Sequence, residues 1–569
     1  MARGSGRRFT VGFDTEDDGR GNPFLWCFAH GEGRNSARTR GETLTVLENY
    51  VRHWKPRGVQ VEVWTTNLEY DLCNTFDRDR VAEVTWYFGR SYLCSARWRG
   101  VDFRDTVRHL PASVEQLGTL VGAKKVHARL FAGRRPDPVR HLEAYRARCL
   151  RDATITYRTA KLLAQSYKAL GVRPRTTLAS TALAVWREVF WKREVRKPIP
   201  EVWNAAHAAY HGGRTQAFAV GTFPQVTVID VASMFPWAMT TAPLPLPWGL
   251  VSRVPRRGVI DGAGVYHVRV RSQLARPQLP VRTTRGTVYP NGSWSGWYVG
   301  EELLAFLAAG GDCDVLSGFR FLESCRPFDG YVRSLFRRKQ AARGLRRTLY
   351  KSLLTGLYGK FGQQGRKVRC VPVAKFLELE RAPLNAREWN GLVIFQEDGP
   401  PPPWGNNVWP AFVTARARVR LAQEIRALEQ RGARPLYCDT DSVMFLGNGG
   451  RYPERARRVG DFEMKGRFRR MLIVGKKEYA LETSPGRWLA HVKGVPLLQR
   501  YRYLTEGTAE FDRPVKMREA ANAGGTVNVW RRVKKTRRTD IRTGAVRPDG
   551  SLPAPVIAPE TNGSGKRGS

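Results

Sequence analysis

Residues 436–446 read LYCDTDSVMFL, two apolar runs that enclose Asp439 and Asp441. In a strand or hairpin, residues i and i+2 share a face, so both carboxylates can meet one ligand. Held between apolar runs, such a pair is costly without a cation to neutralise it. Alone, an Asp-Thr-Asp tripeptide is equally the content of a solvated turn. Upstream, residues 226–236 read VTVIDVASMFP: a strand over 226–229 that delivers Asp230 at its end, followed by an aromatic–proline pair. Three carboxylates from two strand ends can hold two Mg²⁺ ions, which complete their shells with water and phosphate oxygens. Two such ions, ~3.5–4 Å apart, clamp the attacking and leaving oxygens of a phosphoryl transfer.

Between these stretches lies TLYKSLLTGLYGKFG, residues 348–362, at the end of a basic helical pattern running from about 331 to 358. Cations recur every four residues at Lys339, Arg343, Arg347 and Lys351, which predicts a stripe along one helical face. Such a stripe suits a triphosphate, and a solvated helix face would show the same spacing. Tyr350, Leu354 and Tyr358 give this helix a side that can pack.

The composition names the class of partner. Lys plus Arg total 95 against 51 for Asp plus Glu, a net charge of +44 over 569 residues. That points to a polyanion, nucleic acid first, because neutralising phosphates releases counterions. No apolar run approaches the roughly 18–20 residues of a membrane span. The hydrophobic fraction of 42% is enough for a packed core. The eight cysteines form no CxxC pair, which argues against structural zinc, and the N-terminal MARGSGRRFTVGFD lacks the apolar core of a signal peptide. Both suggest a reduced, cytoplasmic setting.

A second set of carboxylates lies in the first third of the chain. FDTED follows a strand over 9–13 and carries Asp14 and Glu16, again i and i+2. TTNLEYD, after a strand over 59–65, holds Asn67 and Asp71. Asp152 falls on a helix predicted from 142 to 170, on the stripe of Leu142, Tyr145, Cys149, Thr156 and Leu163, where a carboxylate needs a partner. Four carboxylates on two divalent ions could activate a water for phosphodiester hydrolysis. Elsewhere, Pro198–Pro200 reads as a lobe boundary. Residues 241–330 read as turns and short strands, and 363–409 as an irregular insertion stiffened by Pro400–Pro403. A helix over 412–430 leads into a strand over 436–439. The basic stretch of Arg531, Arg532, Lys534, Lys535, Arg537 and Arg538 precedes a flexible tail after about 545.

In order and wording, these motifs resemble family B DNA polymerases, and within them the small protein-primed phage enzymes of the phi-twenty-nine type. DVASMFP (230–236) resembles motif A, KSLLTGLYG (351–359) motif B and YCDTDS (437–442) motif C. GKKEY (475–479) holds the K-x-Y element and AYHGG (209–213) the Y-x-G-G element. The three N-terminal segments resemble the proofreading exonuclease motifs, and the resemblance spans roughly residues 9–535.

The resemblance implies an α/β (α+β multidomain) fold, with a ribonuclease-H-like exonuclease domain followed by a right-hand palm, fingers and thumb with two palm insertions. The implied boundaries are 1–190 exonuclease, 191–240 palm, 241–330 first insertion, 331–362 fingers, 363–409 second insertion, 410–510 palm, 511–545 thumb and 546–569 tail. Asp230 and Asp441, with Asp439 beside them, would be the polymerase carboxylates, and Asp14, Glu16, Asp71 and Asp152 those of the exonuclease. Mg²⁺ or Mn²⁺, two ions per site, would be the cofactor. Phe235 would select deoxynucleotides; Tyr358, Lys339, Arg347 and Lys351 would contact the dNTP. Lys477, Tyr479, Tyr210, Gly212 and Gly213 would hold DNA, and Asn67 and Thr106 the single-stranded primer end. The implied partners are primer-template and single-stranded DNA, dNTPs and a terminal protein primer, on a monomer with no membrane contact, in the host bacterial cytoplasm if the chain is viral. A same-clan polymerase with another priming mode, or a non-catalytic DNA-binding replication factor, are the alternatives. Two positions depart from the family: Thr355-Gly356 where motif B has Asn-Ser, and Arg148 where a tyrosine precedes the third exonuclease aspartate by four residues. At i and i+4, Arg148 and Asp152 could form a helix ion pair.

Overall fold

The computed structural model describes residues 7–537, apart from 32, 78, 90–91, 128, 132–134, 284–285, 380–382, 384, 518 and 521–529, together with 545–546. Arg538 and, of the tail expected at 546–569, residues 547 onward lie outside the described residues. The chain divides into two compact units, one of residues 1–193, 333–402 and 512–533, the other of 194–332, 403–511 and 534–569.

The first unit is built on a seven-stranded mixed sheet. Its order is Gly33–Ala37, Pro23–His30, Arg8–Asp17, Gln60–Thr65, Val101–Asp105, Leu93–Trp98 and Thr85–Phe88. The strand Arg8–Asp17 runs antiparallel to Pro23–His30 and parallel to Gln60–Thr65. Val11 and Phe13 bury one of its faces. On the other, Gly12 admits the helix Leu142–Lys168, since a Cβ there would stand 2.1 Å from the Ala153 carbonyl oxygen. The strand continues to Asp17, past the expected end at 13, so Asp14 and Glu16 sit within it.

Two further expectations change in this unit. Residues 363–409 contain a three-stranded antiparallel sheet of Lys367–Pro372, Leu392–Glu397 and Arg387–Trp389. Val368, Trp389, Leu392 and Ile394 join the apolar core of Val63, Leu72 and Trp98, and this burial orders the segment. The single basic helix is two helices, Asp329–Ala341 and Gly344–Gly356. Gly344 takes φ +55° and Arg343 is extended, so the cationic stripe is broken after Lys339.

The second unit carries a seven-stranded antiparallel sheet, ordered Arg487–Val492, Glu478–Ser484, Phe462–Gly475, Gly221–Val231, Ser442–Leu446, Arg434–Asp439 and Thr215–Ala217. Leu421, Ile425 and Leu428 of the helix Val408–Gln430 pack on Ile229, Val231, Val443 and Phe445 of one face. Residues 241–330 are more regular than expected: Val251–Val254, Asp312–Phe321, Gly264–Ser272 and Gly292–Val299 form a four-stranded antiparallel sheet. The helix Gly300–Ala308 covers it through Leu303 and Phe306. Two arginines of the long helix are buried: Arg416 meets Glu301 at 2.7 Å, and Arg418 meets Glu302 at 2.6 Å.

Candidate active sites

The Asp439–Asp441 segment is the tip of a tight hairpin. Asp439 closes one strand opposite Ser442, and Thr440 and Asp441 form the turn. Thr440 sits at φ +62°, a conformation a β-branched residue adopts only under constraint. The constraint is visible: its N–H donates to the Arg214 carbonyl at 2.6 Å and its hydroxyl to Asp439 Oδ1 at 3.1 Å. Gly213 lies against this turn, where an added Cβ would meet Thr440 Cγ2 at 3.0 Å.

The neighbouring strand brings the third carboxylate alongside. Asp230 stands opposite Ser442, and the Val231 N–H donates to the Asp441 carbonyl at 2.8 Å. On its other side Asp230 faces Glu463 in register. Lys465 Nζ lies 3.1 Å from Asp230 Oδ2 and also pairs with Glu463, while Lys477 Nζ pairs with Asp439. Lys477 is fixed at φ +63°, with its N–H donating to the Tyr437 hydroxyl at 2.8 Å. Tyr479 stacks on His491 at 4.7 Å. The spacing of motifs gave no hint of Lys465 or Glu463, which reach the site only through strand register.

In the first unit, Asp14, Glu16, Asp71 and Asp152 converge. The Thr15 hydroxyl donates to Asp71 Oδ1 at 2.9 Å. Burial, reinforced by the charges of Asp152, Asp71 and Glu16, pushes the Asp14 carboxyl well above its ordinary range. Burial likewise raises Glu16, to about 7, against the pull of Arg148. Lys125 pairs with Asp152 at 2.8 Å, a partner the sequence did not reveal. Arg148 Nε lies 3.4 Å from Glu16 Oε1, so its ion partner is Glu16 and not the Asp152 expected from helix spacing. Thr106 is fully buried, its hydroxyl 2.8 Å from that of Thr66. Asn67 is exposed at φ +129°, at the start of the helix Leu68–Thr75.

Among the described residues, no three carboxylate, histidine or cysteine groups form a ready cage for a metal. The donor chemistry nevertheless suits a hard divalent cation: all the candidates are carboxylates, and Asp152 Oδ1 is buried without a hydrogen-bond partner.

The remaining expected residues divide between the units. Phe235 is half-buried beside the apolar cluster under Asp230. Lys339, Arg347, Lys351 and Tyr358 belong to the first unit. There Arg347 Nη1 donates to the Lys339 carbonyl at 3.0 Å, and Lys351 is exposed. The Gly212 carbonyl accepts from Arg418 Nη1 at 2.5 Å, and Tyr210 is held half-buried next to it. No helix among the described residues is long and apolar enough to cross a membrane.

Residues 144–388 match the family described as DNA polymerase type B, organellar and viral. The DNA-directed DNA polymerase of Enterobacteria phage PRD1 is 26% identical over 373 residues, 62% of this chain and 63% of that protein. A DNA polymerase of Kluyveromyces lactis is 24% identical over 319 residues, 50% of this chain and 31% of that protein. The chain spans 21–31% of the length of the relatives from Neurospora, Podospora and Kluyveromyces. Among solved structures, Phi29 DNA polymerase with primer-template DNA superposes with a TM-score of 0.70 at 17% identity, over 93% of this chain and 100% of that one. The mixed α/β, multidomain fold is therefore that of the Phi29 enzyme, and residues 144–388 carry the sequence similarity to the organellar and viral type B DNA polymerases.

Proposed function

We propose that the protein is a DNA-directed DNA polymerase with a 3′→5′ exonuclease, primed by a terminal protein and able to displace a strand. The observation that carries the reading is the pairing of Asp230 with the Asp439–Asp441 hairpin on adjacent strands, with Lys465 and Lys477 at their carboxylates. A primer 3′-hydroxyl, or a protein hydroxyl at initiation, attacks the α-phosphate of a dNTP in line. The new bond joins that oxygen to the α-phosphorus, and the bond to pyrophosphate breaks. Mg²⁺ or Mn²⁺ bound by Asp230 and Asp441 would supply the charge that activates the attacking oxygen and stabilises the leaving group. Lys477, fixed beside Asp439, is suited to hold a backbone phosphate near the primer end.

The domain assignment follows the same reading. Residues 1–190 would be the exonuclease, 191–240 and 410–510 the palm, 331–362 the fingers and 511–545 the thumb. The insertion at 241–330 would contact the terminal protein and that at 363–409 would support strand displacement. The Asp14, Glu16, Asp71 and Asp152 cluster would hydrolyse a single-stranded 3′ end.

The test is extension of a primed circular template by purified protein. Asp441→Ala is expected to abolish incorporation while leaving primer-template affinity unchanged, and incorporation at the unaltered rate would refute the site. Products longer than the circle would support strand displacement. Extension that begins only when terminal protein is added to an unprimed template would support protein priming.

A further inference from the structure

The exonuclease carboxylates are accompanied by fixed positive charge from the chain itself. Lys125 stands 2.8 Å from Asp152 Oδ2 and Arg148 Nε 3.4 Å from Glu16 Oε1. Arg148 is held there from two sides, by the Phe131 ring, whose centre lies 4.2 Å from the guanidinium carbon, and by the charge of Glu16, to which its buried Nε makes an ion pair without a hydrogen bond. The surrounding acids cancel separately, Asp17 with Arg135 at 2.5 Å and Asp105 with Arg108 at 3.0 Å. Metal binding requires the four carboxylates to be deprotonated, and with all four ionised the two built-in cations leave a formal charge of about −2 to be neutralised in a low-dielectric pocket. One divalent ion balances that charge, and two would leave the pocket positive. Asp152 Oδ1, buried without a hydrogen-bond partner, offers a donor atom for that ion.

We infer that this site takes a single divalent cation, with Arg148 and Lys125 supplying the positive charge that a second ion would bring. The inference rests on the exonuclease reading above and narrows its expectation of two ions. Arg148 is then a positioning residue: it fixes the Glu16 carboxylate and screens it, so that Glu16 is a poor ligand for a second ion. The helix that carries Arg148 also carries Asp152 one turn later, so both groups keep a fixed distance from the strand bearing Asp14 and Glu16.

The experiment counts ions. In full-length protein carrying Asp230→Asn and Asp441→Asn to silence the other site, Mn²⁺ is titrated by calorimetry and the free ion is followed by electron paramagnetic resonance. The expected parent count is one equivalent, lost on Asp14→Asn. Arg148→Met is expected to raise the count to two, or to tighten a second ion by about tenfold or more, because a cation beside a ligand carboxylate has been removed. Arg148→Lys keeps the charge and should keep the count at one. Two equivalents in the parent, or an Arg148→Met protein that titrates like the parent at unchanged melting temperature, would overturn the inference. If Arg148→Met does not fold, the parent count decides alone. A failure of the exonuclease reading looks different: no equivalent sensitive to Asp14→Asn, and no shortening of a single-stranded 3′ end with Mn²⁺ present.

Discussion

Replacing Arg418 by Met is expected to destabilise the unit that holds the seven-stranded antiparallel sheet by about 3–5 kcal/mol. Arg418 lies on the helix Val408–Gln430 with its side chain 2% exposed, and its partner Glu302 is 4% exposed. Two contacts of 2.6 Å join guanidinium to carboxylate, and Nη1 donates to the Gly212 carbonyl at 2.5 Å. Burial works against the charged guanidinium, and Glu302 more than offsets it, so Arg418 holds its proton more tightly than an ordinary arginine. Methionine fills much of the same space, so the loss is electrostatic. Glu302 is left buried without a cation, and the Gly212 carbonyl loses a donor, the latter costing about 1–3 kcal/mol. Changing both residues, Arg418→Met with Glu302→Met, removes the stranded charge and should recover most of the loss, leaving mainly the Gly212 share. The double-mutant cycle should thus show a coupling of about 2 kcal/mol or more. Calorimetric unfolding reads it. For a unit of this size roughly 1 kcal/mol shifts the transition by 2–4 °C, so the single change should lower it by about 6–20 °C and the double change by far less. A single variant that melts within about 2 °C of the parent, or a double variant as unstable as the single, would refute the argument.

Other outcomes follow from the same geometry. Gly213→Ala places a Cβ 3.0 Å from Thr440 Cγ2 and should displace the Asp439–Asp441 turn, lowering the incorporation rate at least about tenfold with little change in melting; steady-state kinetics on a primed template would show it. Lys465→Met removes the cation 3.1 Å from Asp230 and should tighten Mn²⁺ at that site, which calorimetry measures directly. Burial, helped by Arg104, drives His109 down to about 3, so it is neutral in the folded protein and protonated in the unfolded chain below about pH 6.5. Its contribution to stability is therefore full above pH 6.5 and is lost as pH falls from there toward 3. A His109→Gln protein should show a shallower fall in unfolding temperature between pH 7 and 5, by up to about 1.4 kcal/mol per pH unit, and an unchanged slope would count against it.

The carboxylates were legible because each pattern is local. Asp439 with Asp441 and Asp14 with Glu16 are two-residue spacings in strand-like sequence, and Asp152 interrupts an apolar helical stripe. Their counter-charges were not legible, because Lys125, Lys465 and Arg148 meet Asp152, Asp230 and Glu16 through strand register or across long stretches of chain. The strand Gly264–Ser272, GVYHVRVRS, alternates apolar and polar residues clearly, yet the surrounding proline and glycine content pointed to turns. The broken basic helix turned on one residue: Gly344 carries a left-handed conformation that the four-residue charge period does not register. The insertion at 363–409 looked irregular because its strands are short and its stabilising partners Val63, Leu72 and Trp98 lie far earlier in the chain.

The first unit is assembled from three separate pieces of chain, the last of them residues 512–533. In that last piece, Val515 and Met517 enter the core formed by Val11, Val63 and Trp98, and the Met517 N–H donates to Glu69 Oε1 at 2.7 Å. On a ribosome adding ~5–20 residues per second, the first 193 residues must therefore wait on the order of tens of seconds for their final core side chains. During that interval the sheet bearing Asp14 and Glu16 has open apolar surface. The unit that would edit the product is completed only after nearly all of the sheet bearing Asp230, Asp439 and Asp441 has been synthesised.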